Sequence, residues 1–435
     1  MKLKYCALAA LLNLFVVQPS IANDPFAELD KEIEQLTADD TEEFDQWYIA
    51  QIQEFNLWQQ AYLADWDKKQ KASIKKWGDT KIPSPNVVVV YDEKHNARTV
   101  VDLANGEITV SYLPSPQAEQ VPVLETKVVN DVIEKNAKLF EEVGVTQPKK
   151  AVPTMVFVDE IKVESKTFEE VKREIEAQTE RQMSQLDIFA AEKSTVLSEQ
   201  KQEQVIAVQK QQMIEQEEKR IAAVKQELVQ QEQKLKQQPQ KVVEYKVKIP
   251  KSSLTNRVNK YLPVIQKESA KRELPPELVL AIMHEESYFN PKAKSHVPAY
   301  GLMQIVPTTA GRDVNKLYRG KDMPMKANEL YDPNLNIETG TAYLKILHSR
   351  YLKGIKDPES AIYSVIAAYN TGSGNVAKAF GERRVSSAIK KINAMSSDEV
   401  YEHLIKNLPY NETRNYLKKV NDRLKTYHAQ SNSII

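Results

Sequence analysis

From about Ser165 to Gln238 the chain contains neither glycine nor proline, and its composition is dominated by Gln, Glu, Lys and Ala. Straight-chain residues without the usual turn formers predict helix throughout. Unbroken, such a helix would be on the order of 110 Å long at ~1.5 Å per residue. Ile214, Ile221, Leu228 and Leu235 stand seven apart with Val224 at the second seam position, which is a heptad trace. Val171 and Ile175 fit a seam in the first half, after which glutamines and lysines take its positions. One break near Lys193 to Ser198 would fold the segment into a helical hairpin. The segment reads first as a solvated spacer with some coiled-coil contact, and second as an arm that binds a partner. Because its charges are interspersed and its seam is intermittent, it is expected to project from the body and to be dispensable for any chemistry.

The chain has 435 residues, more than one hydrophobic core usually spans, so two or three structural units are expected. Eight of the eleven glycines lie at or beyond Gly301, which concentrates turns in the C-terminal third. From Asp39 to Trp77, Phe44, Trp47, Phe55, Trp58, Tyr62 and Trp66 recur at helical spacing and form one aromatic stripe, expected to pack against a neighbouring domain rather than to stack on sugars. NVVVVYDEKHNARTVVDLANGEITVSYLP reads as strands with a hairpin at Asn105-Gly106, and TMVFVDEIKV is a further strand. KVVEYKVKI, near residues 241–249, follows the helical segment and reads as the last strand of the same small domain, displaced by the insertion.

MKLKYCALAALLNLFVVQPSIA has two lysines, an apolar run and a small-x-small ending, so residues 1–22 read as a cleavable export signal. The only cysteine, Cys6, precedes the apolar core instead of following it, so no lipid-accepting position is seen and the exported chain keeps no thiol. The location expected is the periplasm, with outer-membrane association left open. Sixty Lys and Arg balance sixty Asp and Glu, which argues against a nucleic-acid partner.

The chemistry is concentrated in AIMHEESYFNPKAKSHVPAYGLMQI, residues 281–305. Pro275-Pro276-Glu277 opens a helix, proline being tolerated in a first turn and an acid suiting its dipole. Leu278, Val279, Ile282 and Met283 form its apolar face, with Glu286 near the middle and Glu285 at the margin. A carboxyl group in apolar surroundings resists ionisation and can protonate a leaving oxygen near neutral pH. His284 and His296 flank it, yet without cysteine or a His-Glu-x-x-His spacing no metal site is expected, and surface positions account for both. No glycine-rich phosphate loop appears and no cofactor is expected. Asp313 and Asp332 sit among turn residues and read as caps.

Glu286-Ser287, Asn290-Pro291, Ser295, Ala299, Gly301-Leu302-Met303-Gln304, Thr309-Ala310 and Ala368-Tyr369-Asn370 with Gly372 resemble, in order and spacing, the Slt-type lytic transglycosylases, lysozyme-like enzymes that cut bacterial peptidoglycan. Asp332-Pro333, Asn336-Ile337, Gly340, Tyr343-Leu344, Glu412-Thr413-Arg414 and Tyr416 continue the pattern, which spans about Lys251 to Tyr427. A weaker likeness to the membrane-bound members of that family covers the N-terminal strands and KVVEYKVKIPKSSLTNRVNKYLPVI, but the long insertion is a departure from them.

Pattern and resemblance together give an α+β multidomain chain: a small mixed N-terminal domain over 23–164 and the coiled-coil-like insertion over 165–238, both read from the residues, and, as the resemblance implies, a mainly α, lysozyme-like catalytic domain over 251–435. The resemblance makes Glu286 the single catalytic acid and base and peptidoglycan glycan strands the substrate, cut between N-acetylmuramic acid and N-acetylglucosamine with closure of a 1,6-anhydro ring. It further implies that Tyr369 hydrogen-bonds and orients Glu286, that Ser287, Ser295, Gln304 and Asn370 contact the sugars, and that Met303 and Tyr416 line the cleft. Pro298 and Tyr300 stand where the family usually has glycine and a small residue, so the loop between them departs from the pattern. A hydrolytic muramidase of the same fold would need a second carboxylate, and a wall-binding adaptor would act through the arm. The arm's partner helix would be its own first half, a second copy of the chain or another envelope protein; the first is favoured because a hairpin returns the chain to KVVEYKVKI.

Overall fold

The computed structural model describes residues 27–114, 122–193 and 199–431. The expected leader lies outside them, as does the expected helix break over residues 194–198. The chain divides into two compact units, Met1–Tyr48 and Ile49–Ile435. The first is described only as the leading part of helix α1 (Ala27–Trp77).

The second unit is mostly helical, with one antiparallel sheet built from β1 (Val87–Asp92), β2 (Ala97–Asp102), β3 (Glu107–Tyr112), β4 (Val156–Glu160) and β5 (Lys241–Lys248). The β2–β3 hairpin closes Asp102 on Glu107, with Gly106 supplying the positive φ of its turn. Strand order is β1-β2-β3-β5-β4, so KVVEYKVK lies between β3 and β4 instead of joining an edge. The long insertion therefore interrupts the sheet in sequence and leaves it continuous in space. Helices α2 (Pro122–Lys135) and α3 (Ala137–Glu142) cover one face, burying Val129, Val132, Ile133 and Phe140 against Val101, Ile108, Val110 and Tyr245.

The insertion forms α4 (Ser165–Lys193) and α5 (Glu199–Gln237). Asp187 pairs with Lys210, and Val171 and Ile175 pack with Ile221, Val224 and Leu228, so the two helices run antiparallel; of the other heptad positions, Leu235 packs with Trp77, Ile161 and Val242, and Ile214 is exposed. Ile74 of α1 joins the cluster at Val224. Farther along α1, Phe55 stacks on Phe189 with ring centroids 4.3 Å apart, Asn56 donates to Gln209 (2.6 Å), and Arg220 forks onto Asp67. Of the aromatic stripe, Phe55 thus packs against the arm, while Trp47 and Trp58 are exposed.

The C-terminal layer comprises α6 (Ser252–Arg272), α7 (Pro276–Ser287), α8 (Ala310–Tyr318), α9 (Pro333–Ile346), α10 (Pro358–Thr371), α11 (Ser373–Ala379), α12 (Val385–Ile392), α13 (Ser397–Asn407) and α14 (Asn411–Ser431). One hydrophobic core runs from Tyr261 to Tyr427 and takes in Val279, Ile282, Met283, Leu302, Met303, Ile337, Leu344, Ile366, Leu404 and Leu417. Proline opens α7, α9 and α10, where a missing N–H costs nothing, and Asp332 and Asp357 cap the latter two by accepting from Leu335 N and Ser360 N.

The arm does not project from the body, and this corrects the sequence expectation. Its α4 lies against α10, α11 and α14. Ser184 Oγ meets Thr371 Oγ1 at 2.9 Å, Asp187 accepts from Tyr410 Oη (2.7 Å) and from Lys378 (3.3 Å), and Arg181 pairs with Glu412. Interspersed charge, read in sequence as a solvated face, is satisfied instead by complementary charge on the catalytic layer.

Candidate active site

Helix α7 places Glu286 where its periodicity requires. Leu278, Val279, Ile282 and Met283 are buried on the core face, and Glu286 follows them inward, only 6 % exposed. Glu285, one residue earlier, turns to α14 and pairs with Lys419 (3.0 Å) and Arg423 (2.8 Å). Two adjacent glutamates are thereby given different environments. Burial pushes the Glu286 carboxyl up to about 7, against the opposing effects of Arg181 and of the Tyr416 hydroxyl, which donates to Oε1 at 2.8 Å.

The loop from Asn290 to Ile305 is held from α9. Asn336 is fully buried; its Nδ2 donates to the carbonyls of Tyr300 and Leu330, both at 2.8 Å, and its Oδ1 accepts from Met303 N (2.8 Å). Gly301 has φ +75°, and a Cβ there would meet Leu330 O at 2.3 Å and Asn336 Nδ2 at 2.4 Å. Only glycine fits that position. Gln304, at φ +47°, donates from Nε2 to Gly301 O and Ala293 O, which leaves its Oε1 without a protein partner. Tyr300 bridges the loop's two limbs and packs edge-on to Tyr331, so the departure at Pro298 and Tyr300 is accommodated by aromatic packing. From α1, Tyr62 Oη donates to Ser295 O (2.9 Å) and Trp66 lies edge-on to the His296 ring.

Several expected roles change. Tyr416, not Tyr369, reaches Glu286; Tyr369 donates to the carbonyl of Met303 (2.8 Å) while lining the same cavity. Burial raises both hydroxyls well above the ordinary tyrosine range, so both stay protonated donors. Ser287 is fully buried and donates to Met283 O and Leu302 O, a structural bond that keeps it from sugar. Met303 is fully buried too, its sulfur seated against Gly340, and so belongs to the core rather than to the cleft wall. Ser295 is buried, its Oγ accepting from Val297 N at 3.3 Å. Asn370 lines the cavity at Glu286, its Oδ1 accepting from Thr413 (2.7 Å) and its Nδ2 without a protein partner.

Neither histidine sits at the surface. His284 is buried against Tyr288, Phe289 and Tyr427, and His296 is half-buried; desolvation pushes both down to about 3, so both are neutral. Asp313 is no cap: it lies within α8, buried, with Tyr351 Oη donating to it at 2.9 Å, and burial raises its pKa.

The residue that sequence reasoning missed is Arg181 of α4. Its Nη2 lies 3.9 Å from Glu286 Oε2 while its other nitrogen pairs with Glu412. One of two arginines in a Gln/Glu/Lys-rich helix, Arg181 carries no local signal of such a contact. Gln185 and Ile188, one and two turns on, line the same cavity together with Gln304, Thr309, Tyr343, Tyr369 and Asn370. Among the described residues that line it, Glu286 is the only carboxylate.

Residues 263–392 match the family model described as the transglycosylase SLT domain. Over 184 residues it is 45% identical to the membrane-bound lytic murein transglycosylase C of Serratia proteamaculans, covering 42% of this chain and 51% of that one. The protein of the same name from Salmonella paratyphi B is 44% identical over 177 residues, 41% of this chain and 49% of the relative. The chain spans about half the length of the curated relatives it matches. Among solved structures, the Slt lytic transglycosylase of Pseudomonas aeruginosa is 26% identical over 41% of this chain and 28% of its own, with a TM-score of 0.31.

The matched residues include Glu286, the loop carrying Gly301 and Gln304, and the Tyr369-Asn370 pair. Tyr416 and Glu412 come from beyond the matched residues, and Arg181 from before them. Because the Tyr416 hydrogen bond favours the charged carboxylate, Tyr416→Phe should raise the Glu286 pKa further and leave the side chain less well oriented. The expected result is an alkaline limb moved above that of the wild type and a kcat lower by about tenfold. A pH profile of kcat checks both; an unmoved limb would dissociate Tyr416 from the acid.

Proposed function

We propose that the chain is a peptidoglycan lytic transglycosylase of the bacterial envelope, cleaving the bond between N-acetylmuramic acid and N-acetylglucosamine without water, in cell-wall remodelling. The observation that carries this reading is Glu286: a buried carboxyl group inside an SLT domain, poised near neutrality and alone in its cavity. In the reaction the protonated carboxyl gives its proton to the glycosidic oxygen, which leaves as the 4-hydroxyl of N-acetylglucosamine as its bond to the muramyl C1 breaks. The muramyl C6 oxygen then bonds to C1, its proton passes to the Glu286 carboxylate, and the acid is restored with a 1,6-anhydro ring formed. One carboxylate suffices because the nucleophile belongs to the substrate, whereas most glycosidases need a pair.

Gln304 Oε1 and Asn370 Nδ2 are an acceptor and a donor of the kind that acetamido and hydroxyl groups need, and their lack of protein partners supports assigning them to the sugar. Tyr369 fixes the Met303–Gln304 turn and Tyr416 the acid. Mass spectrometry of muropeptides released from purified sacculi in heavy-oxygen water tests the reading. Anhydromuramyl ends without label are expected; label in the new sugar ends would make the enzyme a hydrolase.

A further inference from the structure

The space at Glu286 is about 20 Å³, room for about one water molecule and none for a sugar ring. What fills it is α4. Arg181, Gln185 and Ile188 lie at successive turns of one face, Arg181 toward Glu286 and Ile188 over Gly372, where an added Cβ would stand 2.6 Å from its side chain. On the far side of Ile188 the groove opens to about 690 Å³, lined by Tyr343, Thr371, Asn375 and Lys378 together with Asp187 and Ala191. Glycan entering there meets Ile188 before it meets the acid.

We propose that α4 is an intramolecular gate on the glycan cleft, closed in this structure with Arg181 against Glu286, and that cleavage requires the helix to move off the cleft. The inference rests on the reading of Glu286 as the acid that cuts glycan. The closed arrangement is electrostatically hostile to that chemistry. A guanidinium 3.9 Å from the carboxyl favours its ionised form, which has no proton to give, and disfavours the positive charge that develops on a sugar losing its leaving group.

The contact is also built to release. It sets Arg181, Ser184, Gln185 and Asp187 against the C-terminal layer beside the apolar Ile188, where a permanent helix contact would use mostly aliphatic side chains. Gln185 Nε2, Gln304 Oε1 and Asn370 Nδ2 find no protein partner across it. The rest of the latch is ionic or polar: Arg181 with Glu412, Glu180 accepting from Glu412 N (3.0 Å), and Asp187 with Lys378 and the Tyr410 hydroxyl. A glycan strand offers hydroxyl and acetamido groups that can replace these amide contacts as the helix leaves.

The test is a reversible lock in the full chain. Ser184 Oγ and Thr371 Oγ1 are 2.9 Å apart, so Ser184→Cys with Thr371→Cys, in a Cys6→Ser background, can join α4 to α10 by a disulfide. The oxidised form is expected to lose cleavage of sacculi and calorimetric binding of an N-acetylglucosamine oligomer, and the same preparation to regain both on reduction, which controls for folding. Arg181→Ala alone should raise the initial rate about tenfold by weakening the latch. Oxidised and reduced forms that behave alike in both assays overturn the gate, as does an unchanged or lower rate for Arg181→Ala. Binding that follows the redox state without cleavage in either form keeps the gate and overturns the assigned chemistry.

Discussion

Glu286→Gln is expected to leave a folded protein whose glycan cleavage falls by at least about 10³-fold, since the amide can neither give the proton to the leaving oxygen nor take it from the C6 hydroxyl. The substitution is isosteric, and an amide can still accept from Tyr416 Oη, so the site should keep its shape. Glu285→Gln is the control. It loses the pair with Lys419 and Arg423 on the outer side of α7 and should retain most of the activity, because neither Glu285 nor its partners line the cavity at Glu286. Rates on purified sacculi, with circular dichroism to verify folding, decide the matter. If the Glu285 variant were the inactive one, the orientation of α7 would not determine the chemistry.

Gly301→Ala is expected to cost about 2–5 kcal/mol in stability, combining the strain of a left-handed backbone with the displacement of Leu330 or Asn336. Leu330 contributes a backbone carbonyl, and Asn336 is held by three hydrogen bonds, so neither yields cheaply. Gly320 separates the two contributions. It also has positive φ, but nothing lies within 4 Å of a Cβ built on it, so Gly320→Ala should show the backbone strain alone, about 1–2 kcal/mol. Urea unfolding of both variants measures the difference. Equal losses would mean that the loop gives way to the new methyl and that Asn336 does not hold the site rigidly. Because Asn336 also fixes Met303 N, and Met303 O takes the Tyr369 bond, the Gly301 variant should lose activity as well as stability.

Local features of this chain were legible without coordinates. A long run lacking glycine and proline became two helices, the Asn105-Gly106 turn became a hairpin, and an apolar face four residues deep pointed Glu286 inward and Glu285 out. Such features depend on backbone preference and on periodicity about a single helix axis, both carried by neighbouring residues. Of the α5 heptad, Ile221, Val224 and Leu228 meet α4, while Leu235 packs outside the arm and Ile214 is exposed.

What the tertiary structure alone decided is which surfaces meet. Periodicity directs a side chain relative to its own helix and says nothing of what stands opposite. Tyr369 and Tyr416 were both directed at the site, but the packing of α14 against α7 gave the carboxylate to Tyr416 and left Tyr369 the Met303 carbonyl. Ser287, Met303 and Asp313 carried no sequence signal that separates a cleft wall from a core, because buried hydroxyls, thioethers and carboxyls are tolerated wherever a partner exists, and here Leu302, Gly340 and Tyr351 are those partners. The arm is the clearest case. A face of Arg, Gln, Ser and Asp is equally at home in water and against a polar cleft, so its composition could not choose between them. The complementary Glu412, Lys378 and Tyr410, more than 180 residues away in sequence, made the choice when the chain folded.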